Sequence, residues 1–417
     1  MKTSLSVPSL RREVVSDAHS KLVVLDFALC AAVITPAVIV YWRVTWALFD
    51  IYLLPAHQQL SVVASLCIGF FGVTLFTLAQ HRLDTVLHSW RDTAGYYVIT
   101  RSYTALFGCA CINSWRGIWE TMDLFTGSDP AVVAATVVLA FGTLIAMGTL
   151  RNVVAPPVST LSDHYHGYFE VPTLFRLRGQ RGTGSFLYVL DSFFSVCIIG
   201  SLVVIVWRGV WNIMDEYLYP DMQDISAWLS LAIGYGVVLI AFALQPTVKS
   251  IVKKVRGIKR MFIVDTYLLF SFFGAVNVWR GIWTMLDVYF LPDAPMTSYW
   301  ISHIACFAIL VALNSSNSIL VRGVYMDAEE DGTQCVDFPC YYFRLLVQKR
   351  KRKKTRNAEQ EGKEMIQIKV QPTDETTETV TGKLLSSSTT NENGGVITSK
   401  MNGDEAEDTL PNNNKIV

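Results

Sequence analysis

Four stretches of the chain share one pattern, Trp-Arg-x-x-Trp-x-x-x-Asp. They are Trp42, Arg43, Trp46 and Asp50; Trp115, Arg116, Trp119 and Asp123; Trp207, Arg208, Trp211 and Asp215; and Trp279, Arg280, Trp283 and Asp287. Eight of the eleven tryptophans lie in it. Gly follows the Arg in the last three copies (Gly117, Gly209, Gly281), whereas Val44 stands there in the first. A guanidinium can fork onto a carboxylate and stack on an indole face. Three uses of that chemistry fit the pattern. In a structural lattice each Arg pairs with an Asp of a neighbouring helix, and the Gly lets helices approach. As an anchor, Trp and Arg mark the edge of a membrane, Arg extending to the headgroups. As a ligand or ion site, the Arg residues line a polar path. Anchoring needs neither a fixed order nor an Asp at fixed spacing, which favours the lattice; the ligand site stays open.

The elements that hold these residues must be membrane helices. The 417 residues are 51% hydrophobic and only 17% charged, against about a quarter charged in soluble domains. Basic and acidic residues balance at 35 each, so net charge points to no nucleic-acid partner. Eight long apolar stretches stand out, near residues 22–49, 60–79, 97–119, 131–150, 187–211, 225–244, 262–283 and 299–321. Backbone groups in hydrocarbon must be bonded within their own segment, which makes these α-helices. The expected fold is an all-α polytopic membrane protein of eight transmembrane helices, read as four helical-hairpin repeats. Asp26 to Arg43 is seventeen residues, roughly 25 Å of helix, so the motif sits near one edge of a core about 30 Å thick.

The pattern has a second level. The offset from copy 1 to copy 3 is 165, and from copy 2 to copy 4 it is 164, as it is for Asn113 and Asn277, two before their Trp. Asp26 and Asp191, and Gln80 and Gln245, also stand at an offset of 165. This predicts two duplicated four-helix halves, parallel repeats because each holds an even number of spans. The expected division is an N-terminal segment 1–21, halves at 22–152 and 187–322, a linker loop 153–186, and a tail 323–417. That tail is basic near 349–356, and its polar composition beyond predicts disorder.

Lys and Arg fall in the N-terminus, in the loops after helices 2, 4 and 6, and beyond helix 8, which places both termini in the cytoplasm. No cleavable signal peptide is apparent. The run Lys349, Arg350, Lys351, Arg352, Lys353, Lys354 suits anionic inner-leaflet lipid, with a solvated charge run as the plain alternative. Cys335 and Cys340 are candidates for palmitoylation near the last helix, and no cysteine lies in an outer loop to form a disulfide there. His164 and His166 lack companion ligands for a metal. Asp26, Asp191 and Asp265 lie near inner helix ends, as interfacial residues or ion-coupling groups, and Asn113 and Asn277 are candidate polar supports of the motif. Lys415-Ile416-Val417 offers a PDZ groove an apolar end, although Lys415 is not the usual residue there. No protease, phosphate-cradling or nucleophile motif appears in a suitable context, so neither an enzyme nor a cofactor is expected.

At the motif copies, above all Asn-Ser-Trp-Arg-Gly-Ile-Trp-Glu-Thr-Met-Asp (113–123) and Val-Trp-Arg-Gly-Val-Trp-Asn-Ile-Met-Asp-Glu-Tyr (206–217), the chain resembles the Fuseless family. The resemblance covers about residues 20–325. It implies an eight-span neuronal plasma-membrane protein of the presynaptic terminal. It also implies a role in transmitter release and in placing voltage-gated calcium channels, with the channel or active-zone scaffold proteins as partners. The alternative from the residues alone is a transporter of a small solute or ion using the intramembrane Arg and Asp residues. Pro36 in helix 1, and Gly200 and Ser201 at the matching place in helix 5, are where such a protein would break its helices.

Overall fold

The computed structural model describes residues 20–360 except 92, 164–166, 178–182, 292–293, 328–333, 348–349, 352–354, 356 and 358–359. The His164/His166 pair, most of the basic run, the far tail and its PDZ-like end therefore lie outside the described residues, as does nearly all of the N-terminal segment. Arg350 and Lys351, which are described, are exposed.

Among the described residues there are helices and turns and no strand. Eight main helices follow in order. Helix α1 comprises Ser20–Leu29, a π-turn at Cys30–Ile34, and Thr35–Tyr52. Then come α2 (Gln58–Leu87), α3 (Ala94–Thr126) and α4 (Pro130–Ala146). Helix α5 repeats the form of α1, with Thr183–Phe194, a π-turn at Ser195–Ile199, and Gly200–Tyr217. The last three are α6 (Gln223–Lys254), α7 (Ile258–Tyr289) and α8 (Pro295–Ala312). Six of them, α1, α2, α5, α6, α7 and α8, are long and apolar enough to cross a membrane; α4, at 17 residues, is apolar but shorter. Helix α3 runs 33 residues but carries Arg101, Arg116 and Glu120.

The odd-numbered helices form an inner ring, α1 touching α3, α3 touching α5, α5 touching α7 and α7 returning to α1. Each even helix packs most closely on the odd helix that follows it, and α8 closes the circle on α1. The tight pairs are therefore 2–3, 4–5, 6–7 and 8–1, not the 1–2 and 3–4 hairpins the motif positions predict. The reason lies in the contact surface. Gly69 of α2 lies against the Ser114 backbone of α3, and Gly234 of α6 against the Asn277–Val278 backbone of α7. Small residues bring those backbones together.

Helices α4 and α8 are about half as long as α2 and α6, and both stop in the same way. Gly148 and Asn314 take the left-handed conformation, Thr149 N–H bonds Leu144 O, and Ser315 N–H bonds Leu310 O, closing Schellman caps. Both helices thus stop short of the ends expected at residues 150 and 321. Beyond each stop comes a short 3-10 turn, Leu150–Val153 and Ser316–Ile319, packed inside the bundle. Leu150, Val153, Ser316, Asn317 and Ile319 are all buried.

The linker read as a tethered loop and the start of the tail also pack. Val158, Tyr168, Phe169, Val171 and Leu174 are buried, and so are Val336 and Phe338. Gln80 on α2 bonds both the N–H and the C=O of Val171, while Gln245, its counterpart on α6, donates to Val336 O. Asp191 accepts from the Phe175 and Leu177 amides, and Asp26 from the Tyr342 and Phe343 amides and from Arg344. The two aspartates are capping groups for these segments. The packed chain extends to about residue 345, well past the expected end of the second half at 322.

Candidate functional site

The eight motif tryptophans meet inside the ring of odd-numbered helices, and the motif Arg and Asp residues pair between neighbouring helices of that ring. Arg116 donates through Nε to Asp50 of copy 1, Arg208 to Asp123 of copy 2, and Arg280 to Asp215 of copy 3, each at 2.7 Å. Arg43 of copy 1 bonds Asp287 of copy 4 at 2.8 Å, so the chain of pairs closes on itself. Within a copy, Arg and Asp are seven residues apart, which puts them on one helix face but about 10 Å apart along the axis. A pair on the same helix is out of reach; the neighbouring helix supplies the partner.

The indoles form two closed tetrads, one helical turn apart. Trp42, Trp115, Trp207 and Trp279 meet edge to face with centroids 5.4, 5.6, 5.6 and 5.7 Å apart around the ring. Trp46, Trp119, Trp211 and Trp283 do the same at 5.8, 5.8, 5.7 and 6.1 Å. Each such contact contributes about 0.5–1.5 kcal/mol beyond area burial. Eight of them, in closed cycles, fix the four helices to one another.

Each guanidinium is buried while its Asp partner is about half exposed; for Arg208 and Asp123 the side-chain exposures are 1% and 43%. The remaining donors are met by neighbours that differ between copies. Arg116 bonds Ser65 and Ser61 of α2, and Arg280 bonds Ser230 and Ser226 of α6. Arg208 donates instead to Gly127 O. Arg43 lies over the Tyr299 ring, and its Nη1 finds no acceptor among the described residues. The serine pairs went unnoticed in the sequence, although their i, i+4 spacing and their recurrence at the offset of the two halves were there to find. The glycines after the Arg behave as expected: a Cβ at Gly117 would come within 2.8 Å of Leu66 N, and one at Gly281 within 2.7 Å of Leu231 N.

Below the tetrads the axis is filled by the inward-turning segments after α4 and α8. Trp42 donates its indole N–H to Ile319 O at 2.8 Å, Trp207 to Val153 O at 2.9 Å, and Trp279 to Pro156 O at 2.8 Å. Each segment is capped by the other's downstream chain. Asp327 accepts from the Leu150 and Arg151 amides, and Asp163 from the Ser316 and Asn317 amides. Asp163 N–H in turn bonds Asn314 O, as Asp327 N–H bonds Gly148 O. Burial pushes the Asp327 carboxyl up, and its two amide donors pull it back.

The Fuseless family profile matches residues 21–320, which is most of the chain and spans all four copies. The chain belongs to the Fuseless family. No curated protein and no solved structure gives a significant match. The Fuseless match ends just after the second inward turn, Ser316–Ile319; the chain that caps the first one, including Asp327, and the Arg344 that pairs with Asp26 lie beyond it.

The structure also places the other residues singled out in the sequence. Asn113 accepts from Ser65 and so braces the serine that holds Arg116, whereas the Oδ1 of Asn277 is buried without a described partner. Cys335 and Cys340, the candidates for palmitoylation, are buried, at 4% and 2% exposure. Asp265 is buried, and its Oδ1 has no described partner. Arg101 pairs with Asp163 at 3.2 Å. Among the described residues no group of three His, Cys, Asp or Glu could hold a metal.

Proposed function

We propose that this Fuseless protein is a rigid, eight-span organiser of the presynaptic plasma membrane that helps place voltage-gated calcium channels, and that it carries no solute. In this reading the spans form two duplicated four-helix halves with both termini in the cytoplasm. Helices α3 and α4 complete the eight: α3 is long enough, and α4 sits at the low end of the roughly 17–25 residues a span needs. The observation that carries the reading is the sealed axis. Two tryptophan tetrads and a closed Arg-Asp ring occupy the position a conduit would take, and the segments after α4 and α8 pack beneath them, their carbonyls bonded to three of the indoles. Charges paired in a closed cycle serve packing better than passage. The presynaptic role rests on family membership, and the basic run at 349–354 supplies attraction to anionic lipid.

The transporter reading keeps one observation in its favour. The π-turns at Cys30–Ile34 and Ser195–Ile199 interrupt α1 and α5 at matching places in the two halves. Such turns are frequent at functional sites. The test has two arms. In neurons lacking the protein, presynaptic calcium-channel density should fall and return with the wild-type chain. In proteoliposomes, wild type should pass no more ion or small-solute flux than empty vesicles. Unchanged channel density in the absence of the protein overturns the organiser, and saturable flux abolished by Arg208→Ala establishes the transporter.

A further inference from the structure

The two copies of the duplicated pattern are not packed alike around their π-turns. Beside the first, Phe242 stacks on Phe27 with centroids 4.2 Å apart, and Phe338 stacks on Tyr267 at 5.8 Å. The offset between the halves maps Phe242 onto Thr77 and Phe338 onto Thr173, and there the structure leaves a cavity of ≈ 70 Å³ against the α5 π-turn. Ser195 from that turn and Gly200 just after it, with Ser114 and Trp115 from α3, complete the part of the wall that matters.

Most of its polar groups are already engaged. Thr77 bonds Val73 O at 2.7 Å, Thr173 bonds Asp191, and Ser195 Oγ accepts from Leu174 N–H at 2.8 Å. Two donors are left over. Ser114 Oγ donates to no described residue, and neither does the indole N–H of Trp115, although the other three indoles of its tetrad each reach a backbone carbonyl. No Lys, Arg, Asp or Glu lines the space. An unmet N–H and O–H in a hollow whose other polar groups are already engaged call for one oxygen acceptor on a compact apolar body.

We infer that this cavity is a binding site for a small neutral molecule of the alcohol or ketone class, held by Trp115 and Ser114. One water needs about 10–15 Å³ of such space, so the site takes roughly five heavy atoms. A charged ligand is excluded by the same wall, since nothing there would compensate its desolvation. Trp115 also belongs to the upper tetrad, but the inference does not depend on the organiser role, because the cavity would bind its ligand whatever the ring does in the membrane.

Saturation-transfer NMR on the purified full-length protein, with tert-butanol as the probe and tert-butylammonium as the charged control, tests it. Wild type should give a saturable signal with tert-butanol and none with the ammonium. Thr77→Phe, which restores the residue found at Phe242, should cut the tert-butanol signal at least fivefold. Gly200→Leu should do the same by a different route, since a Cβ there meets nothing nearer than 4.0 Å; it serves if Thr77→Phe does not fold. Ser114→Ala should weaken binding about threefold. A signal that does not saturate, that is equal for the ammonium, or that survives in the folded filled variants overturns the site.

Discussion

At the scale of residues, the pairs are lopsided, and that sets what each substitution does. Water can take over the half-exposed Asp123 carboxylate, but it cannot reach Arg208. Asp123→Asn leaves a buried cation unbalanced and should lower stability by about 3 kcal/mol. Arg208→Met, which keeps much of the volume and removes the charge, should cost less than that. Arg208→Lys should fall between, because an ammonium lacks the fork that spans Asp123 and Gly127 O. Thermal melting in detergent ranks the three; a harmless Asp123→Asn would remove the pair from the fold's energetics. A double-mutant cycle should show about 1–3 kcal/mol of coupling for Arg208 with Asp123, and little for Arg208 with Asp215 on its own helix. The sequence displayed both members of every pair but not the pairing itself. Nothing in the order of residues 43 and 287 announces that the first and last copies touch; only closing the ring makes them neighbours.

Among elements, backbone approach decides. A Cβ on Gly234 would lie 2.4 Å from Val278 N, whereas one on Gly236, two residues on, meets nothing within 4 Å. Gly234→Ala should therefore lose about 1–3 kcal/mol through overpacking, and Gly236→Ala should be neutral or gain up to about 1 kcal/mol from helix propensity. Equal melting for the two variants would sink this account of α6 against α7. Truncation locates the end of the packed chain. Ending the protein after Arg356 should leave melting unchanged, while ending it after Val324 removes the groups that cap Asp26 and the Leu150 turn and should lower it sharply. The long helices were legible because apolar runs of that length have one solution in a bilayer. The segments after α4 and α8 were not: residues 147–150 and 313–321 continue apolar runs and read as the ends of spans, and the Pro and Gly of the linker read as loop whether the loop lies in water or in the heart of a bundle. The burial of Cys335 and Cys340 was hidden for the same reason, since nothing in the residues around them marks that stretch as packed.

For the whole molecule, topology is the first question. An impermeant thiol reagent on intact cells should label Ser128→Cys, at an exposed turn beside the motif, and spare Lys254→Cys at the other end of the bundle; both positions are exposed. The reverse pattern would invert the orientation and the lipid reading of the basic run together.

The exchange of Asp163 and Asp327 bears on how the protein is made. During synthesis the turn at Leu150–Val153 leaves the ribosome long before the carboxylate that satisfies its amides exists, because Asp327 comes 177 residues after Leu150. Until the last four helices arrive, the Leu150 and Arg151 amides lack the carboxylate that satisfies them, and only then can either portion finish. Neither portion should survive alone, yet two separately translated fragments, cut near residue 180, should find each other and complete both turns. Each portion thus carries the carboxylate that the other needs, so the fold is completed in trans within one chain.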